Sequence, residues 1–164
     1  MKLRTKILSG FLILAIMLAC AGILSIYELL SIGSSVNRLI SDNYKSINAA
    51  KAMLEALERE DSGVLLMISG KWQKGRETVE EGDRAFQAAF RIARNNITIP
   101  GEGQYVDRIA THYGAYRDLW MEPLSEPSSR HTLDWYFGHI HSALQDARQS
   151  VEALMMLNDE TMYR

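Results

Sequence analysis

The feature that most constrains the fold is an N-terminal run without a charged residue, from Ile7 to Tyr27. A helix rises about 1.5 Å per residue, so about 20 apolar residues are enough to cross about 30 Å of bilayer hydrocarbon. Lys2, Arg4 and Lys6 precede the run, and basic residues favour the cytoplasmic side of a membrane. The sequence therefore predicts a membrane anchor whose N-terminus is cytoplasmic.

The limits of the uncharged run predict a cytoplasmic segment 1–6, a transmembrane helix 7–27 and an exported part 28–164. Two alternatives are a cleaved signal peptide and a lipoprotein signal ending at Cys20. A signal peptide has an apolar region of about 7–15 residues, whereas apolar residues continue here as far as Ile32. An uncleaved anchor explains the longer run better than either alternative.

Beyond the anchor, apolar residues recur in alternating steps of four and three, the heptad pattern of helices that pack nearly parallel. Gly70 predicts the end of the first bundle helix as its C-cap residue. The seam of this helix is Leu29, Gly33, Val36, Ile40, Asn43, Ile47, Ala50, Leu54, Leu57, Asp61, Val64 and Ile68.

Later seams predict three more helices, separated by loops at 95–103 and 123–129 that are rich in Asn, Pro, Gly or Ser. Thr132 or Ser129 is the expected N-cap of the last helix. We predict an all-α fold, an antiparallel four-helix bundle preceded by a transmembrane helix continuous with the first bundle helix. The later seams are Trp72, Gly75, Val79, Gly82, Phe86, Ala89, Ala93; Val106, Ile109, Tyr113, Tyr116, Trp120; and Leu133, Phe137, Ile140, Leu144, Ala147, Val151, Leu154, Asn158, Thr161.

The helix lengths add a geometric prediction. The second and third helices are about half as long as the first, so they cover only its distal half and place the loop 95–103 near Asn48. Since helices one and four run antiparallel from a common distal turn, Asn43 should lie opposite Asn158. Near the membrane only these two helices remain, which predicts a homodimer with four helices in this section.

The fourth seam is still in phase at Thr161, so we expect the chain to be the front part of a longer protein with a second transmembrane helix. The formal net charge is −2 without a clustered basic face, so no nucleic acid partner is expected. His139 and His141 are two positions apart and face away from each other on a helix. We find no catalytic constellation and expect no metal or cofactor.

Candidate functional residues lie in the seams and at the distal end. Asp61, flanked by Arg59 and Glu60, either pairs with a basic residue or belongs to a layer that contacts a ligand or shifts on signalling. Asn43 and Asn158 either fix the register of helices one and four or form a weak point where helix four slides.

An aromatic group is expected at the distal end, where Trp72, Trp120 and Trp135 lie near helix termini together with Arg130. The simpler interpretation is an aromatic cap that closes the bundle. The functional interpretation is an apolar pocket for a small molecule, in which Arg130 supplies a polar contact.

Several short stretches together carry a family resemblance; they are Glu58–Ser62, Val64–Leu66, Gly70, Asn96–Glu102, Tyr113, Tyr116, Asn158 and Met162. Together they resemble the exported sensor region of bacterial sensor histidine kinases of the KinB type. The resemblance implies a periplasmic sensor domain on the inner membrane, with an unknown small-molecule or envelope ligand. It also implies a HAMP relay, a kinase core and a response regulator downstream.

This chain has no His-Glu phosphoacceptor motif and no glycine-rich nucleotide box, so it is not expected to be an enzyme itself. A chemoreceptor input domain and a purely structural, membrane-tethered bundle that binds another protein are the competing hypotheses. In the leading hypothesis the chain transmits a signal along helices one and four.

Overall fold

The computed structural model describes residues 3–125 and 130–162, and the regular structure in these ranges is entirely helical. The all-α prediction is therefore confirmed. Three consecutive segments, α4, a π-helical turn and α5, together form the fourth bundle helix. The elements are α1 (Leu3–Ile68), α2 (Trp72–Arg94), α3 (Glu102–Ser125), α4 (Leu133–Trp135), the π-helical turn (Tyr136–Ile140) and α5 (His141–Met162).

The chain divides into two compact units, residues 1–40 and 41–164, and α1 contributes to both. In the first unit, Leu12–Ser31 is long and apolar enough to cross a membrane, with a mean hydropathy of 2.3. It overlaps most of the predicted span 7–27. Leu12–Ser31 qualifies as a membrane span by its length and composition, and an N-terminal signal sequence would qualify in the same way.

In the second unit, residues of α1 pair with the fourth bundle helix in reverse order, as an antiparallel bundle requires. Apolar side chains from all four bundle helices fill the core, among them Met53, Phe86, Ile109 and Leu154. Proceeding along α1, the polar pairs are Asn43 with Asn158, Glu58 with Arg148, and Asp61 with Tyr136.

Local sequence explains how two of the helices begin and end. Gly70 has φ of 89°, and the N–H groups of Gly70 and Lys71 donate to the carbonyls of Met67 and Leu66 at 3.2 and 3.0 Å. This is the Schellman motif, so the predicted C-cap is confirmed. The Thr132 hydroxyl accepts from the N–H of Trp135 and caps α4; Ser129, the alternative cap, lies outside the described residues.

Two predicted features of the later helices are wrong. Helix α3 continues through Pro123 to Ser125, because a proline in the last turn removes only one intrahelical bond. Phe137 was expected in the core but is 61% exposed, and Tyr136 is buried in its place. The π-helical turn accommodates one extra residue, which shifts the buried face by one position before Ile140.

The buried face of α1 is also wider than a single seam. Glu60, outside the predicted seam, is fully buried, whereas Asp61 is only half-buried. Close packing of α2 explains the difference, because Gly75 and Gly82 let the two backbones approach. A Cβ on Gly75 would collide with the carbonyl oxygen of Gly63, and one on Gly82 would lie 2.5 Å from Cγ of Glu60.

The first prediction tests this close approach. Gly75→Ala should lower the free energy of unfolding by about 1–3 kcal/mol, since the backbone of α1 must move to admit the methyl group. Gly114→Ala is the matched control, because an added Cβ there meets no atom within 4 Å. It should stabilise α3 by about 0.5–1 kcal/mol. Urea unfolding of the purified chain measures both, and equal effects would contradict the packing described.

Candidate functional site

One buried polar cluster lies where the 95–101 loop returns to α1, and we call it the asparagine layer: Asn43, Ser46, Asn96, Glu102 and Asn158. Its centre is Glu102, whose side chain is fully buried at the start of α3. Oε1 of Glu102 accepts from Oγ of Ser46 at 2.9 Å and from Nδ2 of Asn158 at 3.0 Å. This one oxygen thus joins α1 to α5.

The second oxygen of Glu102 holds the loop. Oε2 accepts from the backbone N–H groups of Thr98 at 2.8 Å and Ile99 at 3.2 Å. Gly101, at φ of 88°, makes the turn that brings these groups back toward the carboxylate. Four donors from α1, the loop and α5 therefore compensate the desolvation of a carboxylate that would otherwise be costly to bury.

Asn96 fixes the same loop to α1. Its Nδ2 donates to the carbonyl of Asp42 at 2.6 Å and to Oγ of Ser46 at 3.0 Å. The loop thus lies about one helical turn from Asn48, the position that the helix lengths predict for it. Asn96 and Glu102 begin and end the loop stretch that carried the family resemblance, and the structure gives both a structural role.

The predicted pairing of Asn43 with Asn158 is confirmed. Nδ2 of Asn43 donates to the backbone carbonyl of Asn158 at 3.4 Å, a long bond, and both residues are buried. Among the described residues, neither Asn43 Oδ1 nor Asn158 Oδ1 has a hydrogen-bond partner. The amides therefore hold α1 and α5 together less completely than Glu102 does.

The second prediction concerns Glu102. Glu102→Gln replaces one acceptor oxygen by an NH2 group that faces either the two backbone N–H groups of the loop or the Asn158 amide N–H beside the Ser46 hydroxyl. It also removes the negative charge that strengthens all four bonds. Loss of charge-assisted bonds of about 1.5–3 kcal/mol each predicts a decrease of about 3 kcal/mol or more in the free energy of unfolding. Glu160→Gln, at an exposed position of α5, should change it by less than about 0.5 kcal/mol. Urea unfolding checks both, and equal stabilities would contradict the assignment.

A second cluster, the carboxyl layer, lies farther along α1 and comprises Glu60, Asp61, Asp83, Tyr113 and Tyr136. Oδ1 of Asp61 accepts from the hydroxyl of Tyr136 at 2.5 Å, so its partner is a phenol and not the expected basic residue. Burial raises the pKa of Asp61, an effect that the Tyr136 hydrogen bond partly offsets. This bond links α1 to the π-helical turn.

The seam pattern missed three members of the layer, Glu60, Asp83 and Tyr136, of which Glu60 is the most completely buried. The hydroxyl oxygen of Tyr113 lies 2.8 Å from Oε1 of Glu60 and 2.8 Å from Oδ1 of Asp83. The guanidinium of Arg117 donates to both carboxylate oxygens of Asp83, at 3.2 and 3.3 Å. Burial raises the pKa of Glu60 to about 8, and burial with the adjacent carboxylates raises the pKa of Tyr113.

Arg59 lies outside both layers. Its guanidinium is exposed and pairs with Glu81 of α2 at 2.9 Å. An exposed pair of this kind contributes little to stability. Although Arg59 and Asp61 are close in sequence, they do not belong to one site, since side chains two positions apart on a helix face different directions.

Among the described residues, the three distal tryptophans make separate contacts. Trp120 is buried, Nε1 of Trp72 donates to the carbonyl of Pro123 at 2.9 Å, and Trp135 stacks on His139 at 5.7 Å between ring centroids. A cleft of about 770 Å³ at this end has none of these tryptophans, nor the exposed Arg130, among its lining residues. That cleft is lined by Leu65, Ile68, Ser69, His131, Thr132, Leu133 and Asp134.

Within the described ranges, no three His, Cys, Asp or Glu side chains are grouped as metal ligands would be. The described residues thus form an antiparallel helical bundle with buried polar layers, and an apolar helical segment precedes it. The family model for a four helix bundle sensory module for signal transduction matches residues 1–161. The chain therefore belongs to this family. Comparisons with curated proteins and with solved structures each found no match.

Proposed function

We propose that the chain is the extracytoplasmic input module of a membrane-bound two-component sensor histidine kinase. Membership of the sensory-module family supports the input role. The KinB-type resemblance supports a kinase as the output, with a response regulator acting after it. The observation that carries the input role is the asparagine layer, in which Glu102 joins α1, the loop and α5 through one carboxylate.

In this proposal Leu12–Ser31 spans the bacterial inner membrane and the bundle lies in the periplasm. The basic residues before the apolar segment favour this orientation. Apolar side chains at the start of the bundle are exposed in the single chain, including Leu39, Ile40 and Tyr44. A second copy of the chain would cover them, so we propose a homodimer as the functional unit.

The third prediction tests the orientation. Alkaline phosphatase fused after Arg164 should be active, because it folds only after export, and the fusion should stay in the membrane fraction after an alkaline wash. Leu18→Arg should lower membrane retention, since a central arginine costs about 2.5–3.5 kcal/mol in a transmembrane helix. An inactive phosphatase in the unaltered fusion would contradict the orientation, and a soluble, shortened product would indicate signal cleavage.

The proposed mechanism is a displacement of α5 along α1. Shifts of about 1–2 Å between helices are an established switching mode. The long Asn43–Asn158 bond and the two amide oxygens that have no partner among the described residues leave room for a second arrangement of these side chains. A ligand or condition that favours the second arrangement would change the register of the two helices and so the output.

The fourth prediction separates a transmitting role of Asn43 from a structural one. Asn43→Leu removes a buried amide whose oxygen has no partner among the described residues, so the bundle should remain folded. If the layer transmits the signal, basal autophosphorylation of the full-length receptor should change at least about 5-fold. Asn48→Leu, at an exposed position of α1, should leave it unchanged. A folded Asn43→Leu receptor with unaltered output would contradict the mechanism.

A chemoreceptor input domain is the second candidate, because the family's name refers to methyl-accepting chemoreceptors as well as to a sensory module. The fold and the polar layers serve either output equally. The coding sequence after Arg164 distinguishes them, since a kinase carries a phosphoacceptor and nucleotide-binding core, whereas a chemoreceptor carries a long methylated coiled coil.

A further inference from the structure

The hydrogen bonds of the carboxyl layer require a proton on either Glu60 or Asp83. A tyrosine hydroxyl carries one proton, yet Oη of Tyr113 lies 2.8 Å from a carboxyl oxygen of Glu60 and equally far from one of Asp83. If both carboxyls were ionised, one contact would bring two oxygen lone pairs together without a proton between them. A protonated Glu60 removes the conflict: its O–H donates to Tyr113, and Tyr113 donates to Asp83.

The surrounding charges favour the proton on Glu60 and not on Asp83. Arg117 donates to both oxygens of Asp83, which holds that carboxylate in its ionised form. Glu60 is fully buried, and its Oε2 has no hydrogen-bond partner within the described part of the chain. A buried carboxylate with an oxygen in this state is costly, whereas a neutral carboxyl is tolerated there.

The titratable and charged groups around Glu60 come from every packed element. Arg117 is already engaged with Asp83, so an ionised Glu60 would be a second carboxylate beside Asp83. The groups next to Glu60 are Asp83 of α2 and Tyr113, Tyr116 and Arg117 of α3. A second group, which reaches Glu60 through Tyr116, comprises Asp61 of α1 and Tyr136, His141 and Arg148 of the fourth bundle helix.

We propose that Glu60 is a proton-binding site of the bundle and that release of its proton to the solvent is an input of the sensory module. The second part rests on the proposed function, and the first part does not. The chemical ligand is the proton itself. Its release leaves a negative charge in the core between α1, α2 and α3.

Packing explains how this charge would act on the helices. Gly82 of α2 packs against the stem of Glu60, and a Cβ there would lie 2.5 Å from its Cγ. A separation of α1 and α2 would therefore open this contact and allow water to hydrate an ionised Glu60. The adjacent Asp61 holds Tyr136 of the π-helical turn, so a movement of α1 at this level also reaches the fourth bundle helix.

The direction of the pH effect follows from the raised pKa. The folded chain binds the proton with a pKa of about 8, against an ordinary value of 4.5, so between these values it holds more protons than the unfolded chain. The stability contributed by Glu60 is complete below pH 4.5 and is lost as the pH rises through about 8. The raised pKa of Asp61 acts in the same direction.

The fifth prediction is an infrared titration of the full chain in detergent. The carbonyl stretch of one protonated carboxyl should disappear with a midpoint near pH 8. Glu60→Gln should remove this band, because its amide does not titrate. Glu55→Gln, at an exposed position of α1, should retain it. Disappearance of all carboxyl bands near pH 4.5 would overturn the proton-binding site, whatever the function of the module.

The input role is tested on the full-length receptor in membranes. Autophosphorylation should change as the pH crosses 8, and the Glu60→Gln receptor should keep the low-pH level throughout, since glutamine mimics the protonated acid. The Glu55→Gln receptor should respond as the unaltered protein does. Output that is independent of pH in the unaltered receptor overturns the input role. A receptor with no kinase output contradicts the proposed function, and the infrared titration then still decides on proton binding.

Discussion

The carboxylate of Glu102 is the interaction on which the arrangement of the bundle at the asparagine layer depends. Burying a carboxylate costs several kcal/mol unless its oxygens are bonded, and all four of its donors lie outside α3. Ser46 belongs to α1, Asn158 to α5, and Thr98 and Ile99 to the loop. Because hydrogen bonds depend steeply on distance and angle, satisfying one side chain fixes the axial positions of two helices and the path of the loop together.

The carboxyl layer also contains a buried carboxyl group, that of Glu60, but this group has fewer hydrogen-bond donors than Glu102. Ser46 and Glu60 are separated along α1 by roughly 20 Å, at about 1.5 Å per residue. In the asparagine layer, each oxygen of the Glu102 carboxylate has hydrogen-bond donors. In the carboxyl layer, one oxygen of Glu60 has no donor within the described residues, and the other competes with Asp83 for the single proton of the Tyr113 hydroxyl. The Glu102 bonds of the asparagine layer therefore resist displacement of the helices, and the long Asn43–Asn158 bond is the weaker contact at that level. The carboxyl layer is stable only while it holds a proton.

Periodicity predicted the four helices, the Gly70 cap and the pairing of Asn43 with Asn158, because helix geometry converts separation in sequence into distance. It could not predict Glu60. One step along a helix turns a side chain by about 100°, and the heptad pattern placed Asp61 in the seam. The face that receives α2 exists only because Gly75 and Gly82 admit a close backbone approach, which is a tertiary effect.

Between the polar layers, α1 and α5 meet through aliphatic side chains such as Leu57, Val151 and Leu154. Apolar packing is non-directional, so this contact tolerates a small axial shift, whereas a hydrogen bond does not. The exposed Glu58–Arg148 pair adds a polar contact between α1 and α5. The π-helical turn adds another to the fourth bundle helix, because its extra residue brings Tyr136 into reach of Asp61. Hydrogen bonds at two buried levels, together with this exposed pair, thus set the relative position of α1 and the fourth bundle helix. A change in protonation or in amide pairing at either level is the kind of event that such a bundle converts into helix movement.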